Sequence, residues 1–314
     1  MFKNKRGFVR AGWHLAGAMG ALYGLIFLLN FLASFAAIAW LTATGEYDPA
    51  TGALTGRGAQ LNDILFYMLM FLQEAAMIAV PLLAWNKLCR QPLAAMGLPG
   101  PRGCGRDFWT GIGLAFASIT AVFAGIVLTG SGQVAYKGFS PDLLLWLALF
   151  IAVGFAEEIL GRGYVMAILR RTGSLAAVYV VSGLIFALMH GGNNGFSPLA
   201  FANIFLVGVL FADMYIQTGA IWMSIGYHIL WNYAQGCIYG FSVSGLDTQG
   251  ILVTAAGEAN LLNGGAFGPE GGLFVTLVIA LGAVFVRWYC RGRGQAQGFI
   301  RRDYTFTQAA GRQE

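Results

Sequence analysis

Charged side chains are scarce in this sequence: only 11% of its 314 residues are Asp, Glu, Lys or Arg. A soluble globular domain carries about 25% charged residues, so this composition excludes a soluble globular protein. The four cysteines include no C-x-x-C pair, and we therefore expect no zinc cluster built on cysteine. We also expect no disulfide, because the topology derived below places Cys89, Cys104 and Cys290 in the cytoplasm, where thiols stay reduced.

Other absences narrow the class of protein further. The net charge is +5, yet Lys and Arg do not gather on one face or element as nucleic-acid binding requires, so we expect no nucleic-acid partner. The sequence contains no repeat of fixed period and no soluble domain of useful size. It predicts one integral membrane domain over residues 1–314.

Long apolar runs are abundant, and hydrophobic residues make up 57% of the chain. A transmembrane helix needs about 20 such residues. The first run is longer than the hydrophobic region of a signal peptide, so we interpret it as a retained helix. The runs predict an all-α, polytopic transmembrane helix bundle with about eight spans, at approximately 14–44, 61–85, 108–130, 143–169, 174–190, 198–217, 220–241 and 271–289.

Basic residues indicate the side of the membrane on which each connection lies, because Lys and Arg accumulate in cytoplasmic loops. Sixteen of the 19 lie in the two tails and in the connections that follow the second and fourth spans. An even number of crossings with both termini cytoplasmic brings these clusters to one side of a plasma (inner) membrane. The tail with Arg301, Arg302 and Asp303 is expected to be flexible or to lie on the anionic inner leaflet.

Ionisable side chains inside the predicted spans are candidates for function, because each costs about 2.5–3.5 kcal/mol at a helix centre. Asp213 lacks a basic neighbour in sequence, and we expect it to lie near the interface and to be solvated. Glu74 also lacks one, so it could be protonated, meet Arg162 across helices, or belong to a proton path. The complete set is Glu74, Glu157, Glu158, Arg162, His190, Asp213 and His228.

The fourth span contains the motif E-E-x-x-x-R. Glu158 and Arg162 lie four residues apart on one helical face, where an ion pair can form. Glu157 points about 100° away around the helix, and a buried carboxylate that is less fully paired suits a general base. Alternatively, both glutamates form a network with Arg162 that only fixes helix packing.

Two further spans place polar or aromatic side chains one helical turn apart. The fifth contains Phe186 and His190, and the seventh contains His228 and Asn232. Taken singly, His190 could be a satisfied interfacial residue, and His228 and Asn232 could form hydrogen bonds between helices. Together with a buried carboxylate they supply what hydrolysis requires, namely a base to activate water and donors to hold an oxyanion.

These motifs, E-E-x-x-x-R, F-x-x-x-H and H-x-x-x-N, resemble those of the CAAX prenyl protease and bacteriocin-processing family of glutamic-type intramembrane endopeptidases. The resemblance covers about residues 140–240, and every motif position is filled. It implies that Glu157 and His190 activate a water molecule for attack on a peptide bond of a membrane-associated peptide or protein. It further implies that the oxyanion is stabilised by His228 and Asn232, and that the site is supported by Glu158, Arg162 and Phe186.

The resemblance favours a site without a cofactor or metal. The alternative is a zinc ion held by Glu157, His190 and His228. Because the sequence has no H-E-x-x-H motif, these ligands would have to come from three separate helices. A rival from another class is a proton- or cation-coupled transporter that uses Glu74, Glu157, Glu158 and the histidines as a relay. The internal symmetry typical of such transporters is not visible. A membrane scaffold that binds a partner without cleaving it is a third possibility.

The predicted topology also indicates the depth of the site. Counted from the cytoplasmic ends of their helices, His228 lies about 12 Å, Glu157 about 20 Å and His190 about 24 Å into the membrane. These side chains can meet between the midplane and the cytoplasmic half if the fifth helix tilts or starts below the surface. We therefore expect a polar cavity that opens toward the cytoplasm or the inner half of the bilayer.

Overall fold

The computed structural model of the chain describes residues 10–100, 102–293 and 298–300. Both tails are predicted to be cytoplasmic, but the basic residues Lys3, Lys5 and Arg6 of the first lie outside the described residues. So does the second tail with Arg301, Arg302 and Asp303. The described part is an all-α membrane helical bundle, which confirms the predicted fold class.

Eight helices of more than ten residues occur in the described part of the chain, each at the position of a predicted span. They are α1 (Ala11–Ala43), α2 (Gly56–Leu88), α3 (Gly105–Leu128), α4 (Asp142–Thr172), α5 (Leu175–Met189), α6 (Pro198–Thr218), α7 (Trp222–Tyr233) and α8 (Leu273–Tyr289). By length and composition, α1 to α4 and α6 are able to cross a membrane, whereas α5 and α8 are shorter apolar helices. The number of crossings and the cytoplasmic location of the termini stay predictions.

Local sequence signals fix several helix ends. The side chains of Thr55, Ser174 and Ser197 accept hydrogen bonds from backbone amides in the first turns of α2, α5 and α6. Pro198 follows at the first position of α6, where the missing amide proton costs nothing. Gly219 ends α6 with a φ of 78°, the left-handed conformation that glycine adopts without strain.

Two antiparallel hairpins were not predicted from the sequence. The strands β1 (Tyr47–Asp48) and β2 (Ala53–Leu54) pair within one connection. The strands β3 (Gly132–Tyr136) and β4 (Leu252–Ala256) pair between two connections that are far apart in the chain. Such short strands carry little local pattern, and their partners are known only once the helices are packed.

The connections between helices lie at two ends of the bundle, and hydrogen bonds join them there. At one end, named the basic end, Arg293 Nη1 donates to Asp107 Oδ1 over 2.8 Å. Trp222 Nε1 donates to the Pro99 carbonyl at the same end, over 3.2 Å. The basic end comprises the connections 89–104, 173–174 and 219–221 and the residues that follow α8.

The other end, named the opposite end, comprises the connections 44–55, 129–141, 190–197 and 239–272. The β3–β4 pairing joins two of these connections. Asn193 Nδ2 also donates to the Ser244 carbonyl, over 2.8 Å, which joins a third to them. The connections that are rich in Lys and Arg were predicted to lie on one side of the membrane. In the structure they do lie together, at the basic end.

Glycine allows α3 and α7 to approach closely in the first turns of both helices, near the basic end. A Cβ atom on Gly111 would overlap the Met223 carbonyl, and one on Gly226 would overlap the Phe108 carbonyl. Small residues at such contacts bring backbones together where lipid offers no hydrophobic driving force. This close contact sets the position of α7, the helix that carries His228.

The prediction that Asp213 is solvated is wrong. Asp213 is instead buried between α5, α6 and α8. Its carboxylate lies 2.6 Å from Arg287 Nε and accepts a hydrogen bond of 2.7 Å from the Tyr179 hydroxyl. The sequence did not show this pairing because both partners come from other helices.

Candidate active site

The helix α4 presents its two glutamates at a change of helical geometry. It is α-helical over Asp142–Glu158 and then π-helical over Ile159–Val165, where all seven residues are buried. Single π turns inside α-helices are frequent at functional sites. Glu157 faces a cavity, whereas Glu158 points into the protein behind it.

The ion pair expected between Glu158 and Arg162 is present and fully enclosed. Arg162 Nη1 lies 2.8 Å from Glu158 Oε1, and the two side chains are 1% and 0% exposed. Arg162 Nη2 also donates to the Gly208 carbonyl of α6 over 3.2 Å. The guanidinium carbon lies 4.1 Å from the ring centroid of Phe186 and 4.9 Å from that of Phe211. Arg162 therefore ties α4 to α5 and α6 directly behind the cavity.

The two histidines converge on Glu157 from different helices. Glu157 Oε2 lies 4.0 Å from His190 Nε2 and 3.9 Å from His228 Nε2. These separations are too long for direct hydrogen bonds, and a water molecule can bridge polar groups across such distances. Within the described residues, Glu157 Oε2 is buried and has no hydrogen-bond partner.

The Nδ1 atoms of both histidines, which point away from Glu157, also contact oxygen atoms. His190 Nδ1 lies 2.9 Å from the Phe186 carbonyl, so it carries the proton and leaves Nε2 toward Glu157. His228 Nδ1 lies 3.4 Å from Glu158 Oε1. The Phe186 ring packs against both histidines, with centroids 5.0 Å from His190 and 6.2 Å from His228. Each imidazole is therefore held by a contact on the side away from the cavity.

All of the residues proposed from the motifs come together. Asn232 is buried one turn beyond His228 and lines the same cavity. The cavity has a volume of about 510 Å³ and is walled by side chains from every helix except α3. Glu74 of α2 also lines it and does not meet Arg162, which is engaged by Glu158 instead.

Sequence reasoning missed a buried polar group that lines the cavity near the opposite end. Glu270 Oε2 accepts hydrogen bonds from the Ser244 amide (2.5 Å), the Ser244 hydroxyl (3.0 Å) and Gln235 Nε2 (3.1 Å). The Glu270 carbonyl accepts a hydrogen bond of 2.8 Å from Asn203 Nδ2 of α6. Burial raises the pKa of Glu270, and the donors Gln235 and Ser244 oppose that rise. No local signal marks Glu270, because its donors come from distant parts of the chain.

The position of the cavity conflicts with the expected cytoplasmic opening. His190 caps the end of α5 at the opposite end, and the exposed residues Asn193 and Asn194 that follow it line the cavity. Ser244 and Glu270 line it from another connection of the same end. Among the described residues, none of those that line it belongs to a connection of the basic end. The cavity therefore lies toward the opposite end, and if the basic end is cytoplasmic, as predicted, we expect the cavity to open outward instead. The side on which it opens stays a prediction.

Cysteine labelling will determine on which side the cavity opens. In a background without the four native cysteines, we expect Asn193→Cys to react with an impermeant thiol reagent added outside the cell. Ala94→Cys, which is exposed at the basic end, should react only from the cytoplasm. Reaction of Asn193→Cys from the cytoplasm alone would reverse the predicted sidedness. Reaction of both cysteines from one side would contradict the separation of the two ends.

The candidate zinc ligand Glu157 lies somewhat farther from the two histidines than ligand atoms of a bound zinc ion lie from one another. Two ligand atoms of a tetrahedral zinc ion lie about 3.4 Å apart, as its bond lengths of about 2.1 Å require. The carboxylate of Glu157 lies 4.0 and 3.9 Å from the nitrogens of His190 and His228. In the part of the chain that the structure describes, no group of three or more His, Cys, Asp or Glu side chains already stands at metal-ligand spacing, and the absence of a metal stays a prediction.

The fold and the cavity together define a polytopic membrane protein with a buried site of carboxylates, histidines and an amide. Residues 139–234 match the family model of type II CAAX prenyl endopeptidases, described as Rce1-like. This segment contains Glu157, Glu158, Arg162, Phe186, His190, His228 and Asn232, and the match confirms the resemblance to CAAX proteases that the motifs predicted. Neither the comparison with curated proteins nor that with solved structures finds a match.

Proposed function

We propose that this protein is an intramembrane endopeptidase of the CAAX protease type, acting in the plasma membrane. Its substrate is a membrane-associated protein or peptide, of which it hydrolyses a peptide bond. The observation that carries the proposal is the convergence of His190 and His228 on the cavity-facing oxygen of Glu157, inside the segment matched by the family.

In the proposed reaction Glu157 is the general base. Its Oε2 accepts a proton from a water molecule that also hydrogen-bonds to His190 Nε2, and the water oxygen attacks the carbonyl carbon of the peptide bond. The tetrahedral intermediate then collapses as the carbon–nitrogen bond breaks. The protonated Glu157 gives its proton to the leaving nitrogen, which leaves a carboxylic acid, a free amine and the original charge on the enzyme. The carboxylic acid then loses its proton to the amine or to water.

His228 and Asn232 stabilise the negative oxygen of the intermediate. The Asn232 amide is a donor in every protonation state of the site. His228 can donate from Nε2 while its Nδ1–H is bound to Glu158 only if the ring is an imidazolium. Both nitrogens of His228 face carboxylates, at 3.9 and 3.4 Å, so the surrounding charges match that cation.

Comparative proteomics of membranes tests the proposal. Cells that carry the intact protein should contain cleavage products that vanish with Glu157→Ala and persist with Asp63→Asn. Asp63 is a matched control because it is an exposed carboxylate on α2 that does not line the cavity. Identical peptide profiles for the intact protein and Glu157→Ala would contradict an endopeptidase.

We also propose that hydrolysis needs no metal ion. Treatment of the purified protein with 1,10-phenanthroline should leave the rate of cleavage of an identified substrate unchanged, and the protein should contain no stoichiometric zinc. A loss of activity that added Zn²⁺ restores would instead support the alternative in which Glu157, His190 and His228 are ligands.

A further inference from the structure

The wall of the cavity formed by α2 lies outside the segment matched by the family, and the reaction proposed above gives it no role. Residues spaced three and four apart bring one face of α2 to the cavity: Met70, Gln73, Glu74 and Met77. Glu74 is the carboxylate of this face, and it is only 3% exposed.

Glu74 is buried with little to satisfy it. Its Oε1 accepts a long hydrogen bond of 3.4 Å from Gln73 Nε2. Its Oε2 is buried and has no hydrogen-bond partner among the described residues. A buried polar group without a partner is costly, and inside a membrane an ionisable one points to a functional partner.

The charges around Glu74 indicate which partner fits. Three carboxylates line the cavity, those of Glu74, Glu157 and Glu270. The residues described as lining it include two histidines and no Lys or Arg. Arg162 lies behind the cavity and is already engaged by Glu158. Even with His228 as an imidazolium, the three carboxylates give the lining an excess of negative charge, so the chemical group that complements this wall is a cation.

We propose that Glu74 is a specificity-determining residue that binds a Lys or Arg side chain of the substrate close to the scissile peptide bond. This inference rests on the proposed function. Met70 and Met77 stand one turn on either side of Glu74, so the methylene stem of a basic side chain can pack against them while its charged group reaches the carboxylate. Glu74 and Glu157 line one cavity, which places the basic residue within a few positions of the bond that is cut.

Sequencing of new amino termini in membranes tests the inference. The samples carry the intact protein, Glu157→Gln, Glu74→Gln or the control Asp63→Asn. Cleavage sites that depend on Glu157 should be enriched in Lys or Arg near the cut. Glu74→Gln keeps the shape of the side chain and should lower kcat/KM for those sites by about 10- to 100-fold, the effect of a lost hydrogen bond to a charged group. Asp63→Asn should leave them unchanged.

A substrate-side change separates specificity from stability. Replacing the basic residue of one identified substrate by Gln should reduce cleavage by the intact protein to the level of Glu74→Gln, and should have no further effect in Glu74→Gln. Sites that depend on Glu157 but show no basic residue, or are cut equally well by Glu74→Gln, would overturn the inference alone. The absence of any site that depends on Glu157 would overturn the proposed function and the inference with it.

Discussion

Replacing Glu157 by Gln is expected to lower the rate of peptide-bond hydrolysis by about 10²–10⁴-fold, the contribution typical of a general base. Gln fills the same space and can still hydrogen-bond to water, but it cannot accept the proton that the attacking water must lose. The variant should insert and fold normally, because Glu157 Oε2 has no hydrogen-bond partner among the described residues that the change would remove. The measurement is the single-turnover rate of the purified protein on an identified substrate.

The companion variant for this experiment is Glu158→Gln. It alters the neighbouring carboxylate, which does not line the cavity, and it weakens the pairing with Arg162. We expect it to reduce thermal stability, which Glu157→Gln should leave unchanged. Wild-type rates for Glu157→Gln would remove Glu157 from the role of base, and the proposed mechanism would fail.

Replacing Arg162 by Ala is expected to destabilise the protein by about 3–5 kcal/mol, as the loss of one partner of a buried ion pair generally does. The change would leave the Glu158 carboxylate buried with His228 as its remaining contact, because Glu158 Oε2 already lacks a hydrogen-bond partner within the described residues. It would also remove the hydrogen bond to the Gly208 carbonyl and the contact with the Phe186 ring. Thermal unfolding in detergent measures the effect.

A double variant separates the stranded charge from the lost packing. Glu158→Gln combined with Arg162→Met removes both charges and keeps most of the volume, so it should recover much of the stability lost in Arg162→Ala. If Arg162→Ala unfolds at the wild-type temperature, the enclosed ion pair does not contribute to stability.

Local patterns were sufficient for the helices and for the centre of the site. Each predicted span corresponds to an observed helix, because a run of apolar residues is a property of a single segment. Glu158 and Arg162 form the predicted pair because four residues make about one turn. His190, His228 and Asn232 stand at a common cavity with Glu157, as expected for polar side chains that helices in a membrane turn toward one another.

Contacts between distant segments were not predictable in the same way. The pairing of Asp213 with Arg287 and the three donors of Glu270 join residues that no local pattern connects. The side on which the cavity opens also depends on where α5 ends relative to its neighbours. Counting residues from a helix start gave the depth of His190 in α5, but it could not show that connections of the opposite end complete the cavity around it.

The π-helical segment Ile159–Val165 makes α4 sensitive to its number of residues. A π turn accommodates one residue more than an α turn, so a single deletion there can restore regular α-helix while the flanking parts of α4 keep nearly the same rotation. Side chains inside the segment would still change direction, and Arg162, which donates to the Gly208 carbonyl of α6, is one of them. A one-residue deletion in this segment should therefore leave α4 helical but separate Arg162 from its partners.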